Sequence, residues 1–312
     1  MSWSTKDIPD QSGKLALITG ATGGLGYETA LELARAGADV VLTGRNAEKG
    51  ATALARIRAE VPGARVSYES LDLSALANVA GFAERFAATH QQLDILVNNA
   101  GVMALPERQV TVDGFEQQFG TNYLSHFALT ARLLPQLARA RAPVTVQLSS
   151  GYAHSGRIDF DDLQGERLYR PFKAYGQSKL AMLMFAFELQ RQSDRAGWRL
   201  KSTAAHPGYA RTELIPNGPG TTGLSGLAMR ILAPLMSQTP AEGALPQLFA
   251  ATSPDAVPGG YYSPSHRFEL VGPPKDGRIP ARAKDLAVAA RLWTVSEQLT
   301  GIRFPALATV PA

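Results

Sequence analysis

Apolar residues in the first two-thirds of the chain fall into short unbroken runs separated by longer stretches of helical spacing. Leu15–Thr19, Asp39–Thr43, Val66–Leu71, Leu93–Val97, Val144–Leu148 and Leu200–Ala204 are the short runs, the pattern of strands buried on both faces. Between them, Tyr27–Ala36, Ala47–Glu60, Leu76–Thr89, Phe115–Arg139 and Phe172–Arg191 repeat apolar positions at the period of an amphipathic helix. Leu76, Val79, Phe82 and Phe86 share one side of the third, and Phe115–Arg139 is long enough for one helix or two. Strands alternating with crossover helices predict an α/β fold, a doubly wound parallel sheet in three αβα layers.

The pattern changes after Pro207. Residues 213–258 are rich in Gly, Pro, Ser and Thr, with one amphipathic stretch, Leu224–Met236. That stretch is short and carries only Arg230 as a charge, which suits a substrate lid better than a helix lying on a membrane. Gly259–Tyr262 predicts a last strand and Ala283–Thr300 a final helix. No linker divides the chain. Residues 1–312 read as one domain, with a core at about 12–215 and a lid and substrate-side C-terminal extension at about 213–312.

Composition narrows the functional classes. Apolar residues at 45% against 19% charged allow a sizeable core. A net charge of +4 over 312 residues is too weak to argue for nucleic acid. The absence of cysteine excludes disulfides, thiolate catalysis and Cys-ligated metals. The five histidines show no ligand spacing, so no metal is expected. The longest uncharged apolar run, Leu180–Phe187, falls well short of a membrane span, and the N-terminal residues lack the pattern of a signal peptide. The expectation is a cytoplasmic protein without integral membrane association.

Chemistry concentrates at the strand ends. Thr19-Gly20-Ala21-Thr22-Gly23-Gly24-Leu25-Gly26 lies between a strand and a helix, where bare backbone can approach a pyrophosphate at a helix N-terminus. The second strand runs into Gly44-Arg45-Asn46, with Arg45 where a carboxylate would hold the ribose of NAD. A guanidinium there pairs with a 2′-phosphate, so NADP(H) is favoured over NAD(H). Tyr175 and Lys179 stand four residues apart on one helix face. The lysine and an oxidised nicotinamide ring are expected to lower the tyrosine pKa for proton transfer. Tyr169 and Lys173 have the same spacing, but Pro171 between them breaks the helix that would align them. Ser150 ends the fifth strand at the carboxyl edge, where such sheets place ligands.

Together with Asn98-Asn99-Ala100-Gly101 and Pro207-Gly208-Tyr209-Ala210-Arg211-Thr212, these motifs occur in an order that resembles the short-chain dehydrogenase/reductase superfamily. Ala153–Ile158, Ser178–Ala181 and His206-Pro207-Gly208 look like its retinol-dehydrogenase-like branch. The resemblance implies a Rossmann-like sheet and an oxidoreductase that interconverts an alcohol and a carbonyl. It implies Tyr175 as the acid–base residue, Ser150 as the group orienting the substrate oxygen, and Lys179 as the group that lowers the tyrosine pKa and holds the nicotinamide ribose. Asn122 would hold a proton-relay water. Gly20, Thr22, Gly23, Gly24, Leu25, Gly26, Arg45 and Asn46 would meet the phosphates and ribose. Asp72, Leu73, Asn99 and Ala100 would line the adenosine side, and Pro207, Ala210 and Thr212 the nicotinamide carboxamide. It also implies a possible homodimer or homotetramer through Phe115–Arg139 and Phe172–Arg191.

One departure is the 25-residue interval from Ser150 to Tyr175, about twice that of the family's shorter members. The extra residues, Tyr152–Pro171, are expected to shape the site mouth. His154 lies four residues after Ser150, but no nucleophile elbow precedes it, so a hydrolase is rejected. Asp159, Asp161 and Asp162 read as a solvated loop. The tail's many apolar residues suggest a hydrophobic small-molecule substrate. Alternatives are an NADP-binding regulator without turnover and a C=C reductase on the same fold.

Overall fold

A computed structural model describes residues 2–210 and 237–305. Eight strands form one sheet in the order β3-β2-β1-β4-β5-β6-β7-β8. They are β1 (Leu15–Ile18), β2 (Asp39–Gly44), β3 (Val66–Ser70), β4 (Ile95–Asn98), β5 (Val144–Leu148), β6 (Lys201–Ala205), β7 (Tyr261–His266) and β8 (Val271–Asp276). The first seven are parallel and β8 pairs antiparallel with β7. The order steps outward from β1 in both directions, so the reversal between β1 and β4 is where doubly wound sheets open a ligand crevice.

Both faces are covered, which is why the strands read as continuous apolar runs. In β1, Leu17 packs into one layer while Ala16 and Ile18 pack into the other. One layer holds α1 (Gly24–Arg35) and α2 (Ala47–Glu60), joined later by α7 (Pro240–Thr252). The other holds α3 (Leu76–Thr89), α5 (Ser125–Arg139), α6 (Pro171–Ala196) and α8 (Leu286–Thr300). The predicted Phe115–Arg139 unit is a short α4 (Gln117–Phe119), a π-helical turn (Gly120–Leu124) and then α5.

The structure adds two elements beyond Pro207. α7 falls in the stretch rich in Gly, Pro, Ser and Thr. Its start is a capping box, with Thr239 accepting from Glu242 N, the Glu242 carboxylate accepting from Thr239 N, and Pro240 in the first turn. β8 was hidden by Gly272, Pro273 and Pro274, residues that an edge strand tolerates because one side of it needs no donors. The extension therefore enlarges the sheet, with two strands and an inner helix, as well as bordering the site. The stretch Leu224–Met236 lies outside the described residues.

The outer face of α5 and α6 is covered by the chain itself. Trp293 of α8 lies 5.1 Å from the Phe127 ring and 6.0 Å from that of Phe185. Phe304 packs beside them, 4.5 Å from Trp293 and 5.1 Å from Phe127.

Candidate active site

Glycines at the end of β1 are required for different reasons. Gly20 (φ +65°) would place a Cβ 2.9 Å from Ala100, and Gly26 would place one 2.4 Å from the Gly20 carbonyl oxygen. Gly44 would place one 2.8 Å from Thr22 Cγ2, so the end of β2 is pressed against the Gly-rich turn. Protein packing demands these three.

Gly23 is unlike them. It is the N-cap of α1 in extended backbone that any residue adopts, and a Cβ there would meet nothing within 4 Å. Neither conformation nor neighbours call for glycine. The open space lies over the first turn of α1, where unsatisfied N–H groups and the helix dipole favour an anion. A dinucleotide pyrophosphate fits that cradle. Gly24 (φ +54°) completes the turn, and the Leu25 side chain is buried in the core, leaving only its backbone to the cradle.

Other expected cofactor contacts have clear local tasks. Arg45 is exposed directly after the β2 terminus. Asn46 caps α2 by accepting from Lys49 N at 2.9 Å. Asp72 accepts from the backbone and hydroxyl of Ser74, and Leu73 is buried in the core. Asn99 Nδ2 donates to the carbonyls of Thr19 and Gly20, at 2.8 and 3.2 Å, bracing the turn. Thr212 lies outside the described residues.

α6 carries Tyr175 and Lys179. Pro171 occupies its first turn, which separates Tyr169 from the helix. Tyr169 instead donates to Leu105 O at 2.8 Å, and Lys173 pairs with Asp159. Tyr175 is buried, with Lys179 Nζ 5.8 Å from its ring centroid. Burial pushes the Tyr175 phenol up to about 12, against the opposing effect of the Ser150 hydroxyl. Burial also brings Lys179 down to about 8. Without cofactor the tyrosine pKa is therefore raised, not lowered: desolvation outweighs the Ser150 hydroxyl.

Lys179 Nζ donates to Leu148 O at 3.0 Å, and a Cβ on Gly101 would lie 3.5 Å from that ammonium and 3.0 Å from Asn122 Oδ1. Asn122 sits in the π-helical turn, a distortion that often marks functional positions. Its Oδ1 accepts from Val102 N at 2.8 Å, while Nδ2 donates to Val102 O and Ser178 Oγ. That amide is committed to bracing the Val102 loop.

Two residues of this network were not singled out from sequence. Thr19 Oγ1 accepts from the N–H groups of Asn99 and Ala100 and lies 2.9 Å from His126 Nε2. His126 Nδ1 is 2.8 Å from the Asn122 carbonyl, which can only accept, so the ring proton sits on Nδ1. Burial holds His126 down to about 4, leaving it neutral, with Nε2 accepting from Thr19. Tyr152, from the insertion, stacks on Phe172 and packs edge-on to Tyr175 at 5.6 Å. The insertion does border the site.

On the carboxyl side of β6, Gln238 Nε2 donates to Pro207 O at 2.7 Å and Gln238 N to Tyr209 O at 2.9 Å. Ala210 and Gln238 form a parallel bridge. A cavity of about 430 Å³ borders Leu180 and Met184 on the other flank of α6 and takes no part in this arrangement.

The short chain dehydrogenase family profile matches residues 14–218. The chain belongs to the short-chain dehydrogenase/reductase family, in its retinol-dehydrogenase-like branch, and is an oxidoreductase acting on CH–OH groups with a nicotinamide cofactor. It is 40% identical over 300 residues to mouse polyprenol dehydrogenase, covering 94% of this chain and 86% of that one. It is 40% identical over 294 residues to mouse retinol dehydrogenase 12, covering 94% and 88%. A crystal structure of an uncharacterized protein from Mycobacterium paratuberculosis superposes with a TM-score of 0.80 at 39% identity, covering 98% of this chain and all of that one. A protein described as a short chain dehydrogenase from Shigella flexneri, complexed with NADP, superposes at 0.64 with 26% identity, covering 82% and 97%.

Proposed function

We propose that the protein interconverts an apolar alcohol and its aldehyde or ketone using NADP(H), with Tyr175 as the acid–base residue. The observation that carries this reading is the buried Tyr175 phenol on one helix face with Lys179, with the Ser150 hydroxyl close enough to oppose the rise of its pKa. When bound, the nicotinamide ring supplies or accepts the hydride. Tyr175 gives the proton to the substrate oxygen, or removes it, while the Ser150 hydroxyl orients that oxygen. Lys179, held at Leu148 O, supplies the positive charge that favours phenolate.

Support for an apolar substrate comes from the partly exposed Tyr152–Phe172 stack beside Tyr175 and from relatives named for polyprenol and retinol. Support for NADP comes from Arg45, free of any carboxylate neighbour in its own Gly44-Arg45-Asn46 turn, and from the NADP-bound Shigella relative. The test is a titration with NADPH and NADH, followed by nicotinamide fluorescence, on wild type and Arg45→Ala. A charge-assisted contact of about 1.5–3 kcal/mol predicts a selective loss of about 10- to 100-fold in NADPH affinity. Equal or tighter NADH binding by the wild type would overturn the NADP assignment.

A further inference from the structure

The hairpin between β7 and β8 holds three consecutive non-glycine residues in left-handed backbone: Arg267 (φ 51°), Phe268 (φ 58°) and Glu269 (φ 68°). Such residues are costly, and a run of them persists only where the surroundings over-determine it. Phe268, at 94% exposed, gains no packing from the arrangement. Glu269 is the residue the turn delivers inward. It is 6% exposed, and Arg278 N donates to its Oε1 at 2.8 Å.

Two imidazoles face the other carboxylate oxygen. His206 Nε2 lies 3.7 Å from Glu269 Oε2 and His154 Nε2 lies 3.9 Å from it. Gly208 N donates to His206 Nδ1 at 3.0 Å. That bond makes Nδ1 the acceptor and leaves the neutral ring's proton on Nε2, directed at the carboxylate. His206 Nε2 is buried without a completed hydrogen bond, and its proton faces Glu269 Oε2 across 3.7 Å. Burial alone would push the Glu269 carboxyl up; the His206 ring, Arg278 N and Ser263 outweigh it and hold the group at about 2.

The same turn is locked to the chain after β6. Tyr209 N donates to Leu270 O at 2.9 Å, and a Cβ on Gly208 (φ +66°) would lie 2.2 Å from that oxygen. Lys275 Nζ lies 3.9 Å from Glu269 Oε1.

We propose that Glu269 is a positioning residue: paired with His206, it fixes Pro207–Ala210 in the conformation that receives the nicotinamide end of the cofactor, and through His154 it ties that loop to the segment following Ser150. The inference rests on the proposed role of Pro207 and Ala210 at the carboxamide. It explains why a strained turn is kept where glycine would relieve it.

The test separates the two ends of the cofactor. NADPH spans both, whereas 2′,5′-ADP reports the adenosine end alone. Binding of each is measured on wild type, Glu269→Gln and Phe268→Gly, by fluorescence for NADPH and calorimetry for 2′,5′-ADP. Glu269→Gln is expected to weaken NADPH about tenfold and leave 2′,5′-ADP within twofold. Phe268→Gly, which relaxes the turn without touching the carboxylate, is expected to change neither. Parallel loss of both ligands in Glu269→Gln, no loss of either, or the same NADPH loss in Phe268→Gly overturns the proposal. Failure of the wild type to bind NADPH overturns the functional reading together with it.

Discussion

Thr19 Oγ1 and His126 Nε2, 107 positions apart in sequence, are hydrogen-bonded at 2.9 Å in the buried centre of the molecule. Through them the turn at the end of β1 is joined to the Asn122 carbonyl. The two ends of the candidate site therefore share one chain of hydrogen bonds, whose polarity is set by a neutral imidazole.

That imidazole gives the fold a pH dependence. The unfolded chain takes up a proton on this histidine at its ordinary value of 6.5, whereas the folded protein does so only at about 4. Between those values the unfolded state binds more protons, so stability falls as pH falls below 6.5 and the loss is complete near 4, amounting to about 3 kcal/mol. His126→Asn is expected to have a lower Tm at pH 7 but a shallower decline between pH 6.5 and 4.5. An unchanged slope in thermal melts would contradict the assignment.

Gly23 and Gly26 separate binding from folding. Gly23→Ala is expected to leave Tm unchanged, because its Cβ enters open space, and to weaken NADPH at least tenfold by intruding on the pyrophosphate cradle. Gly26→Ala drives a Cβ onto the Gly20 carbonyl and should destabilise the fold by about 1–3 kcal/mol. Melting curves and fluorescence titrations on the same two samples check both.

Tyr175→Phe removes the proton donor while keeping the ring. Its turnover should fall by about 10²- to 10⁴-fold, the usual worth of a positioned acid–base group, with NADPH affinity within a few-fold of wild type. Residual turnover near the wild-type rate would show that the proton comes from elsewhere.

The Tyr175 phenol, held at about 12 without cofactor, should form little phenolate below pH 10. A positive nicotinamide ring favours the anion, so saturating NADP⁺ should move its titration to lower pH. Phenolate absorbance of wild type minus Tyr175→Phe, with and without NADP⁺, measures the shift directly. Identical titrations would leave Lys179 as the sole source of activation.

Because Trp293 and Phe304 cover α5 and α6, those helices should not serve as a subunit interface. Sedimentation of the purified protein is expected to give the 33.3 kDa monomer, or an oligomer that Arg132→Glu, at an exposed position of α5, leaves intact. A dimer that dissociates in that variant would restore the interface implied by the family resemblance.

The strand–helix alternation was legible because buried parallel strands and amphipathic helices have different periods, and Tyr175 and Lys179 because four-residue spacing implies a shared face. The choice of Tyr175 over Tyr169 followed from Pro171, which the structure places at the start of α6. α7 also had a readable signal, Thr239-Pro240-Ala241-Glu242, overlooked amid the glycines and prolines around it. Thr19–His126 and Glu269–His206 had none, since each joins segments that are distant in the chain and meet only when the sheet is assembled. The rise of the Tyr175 pKa was equally invisible: sequence supplies the neighbouring charge, but only the fold sets the desolvation that opposes it.

The parallel bridge between Ala210 and Gln238 brings together the two ends of residues 211–236. Gln238 also bonds to Pro207 O and Tyr209 O, which couples the start of α7 to the segment after β6. A shift of that helix would be carried to Pro207 and Ala210 without passing through the sheet.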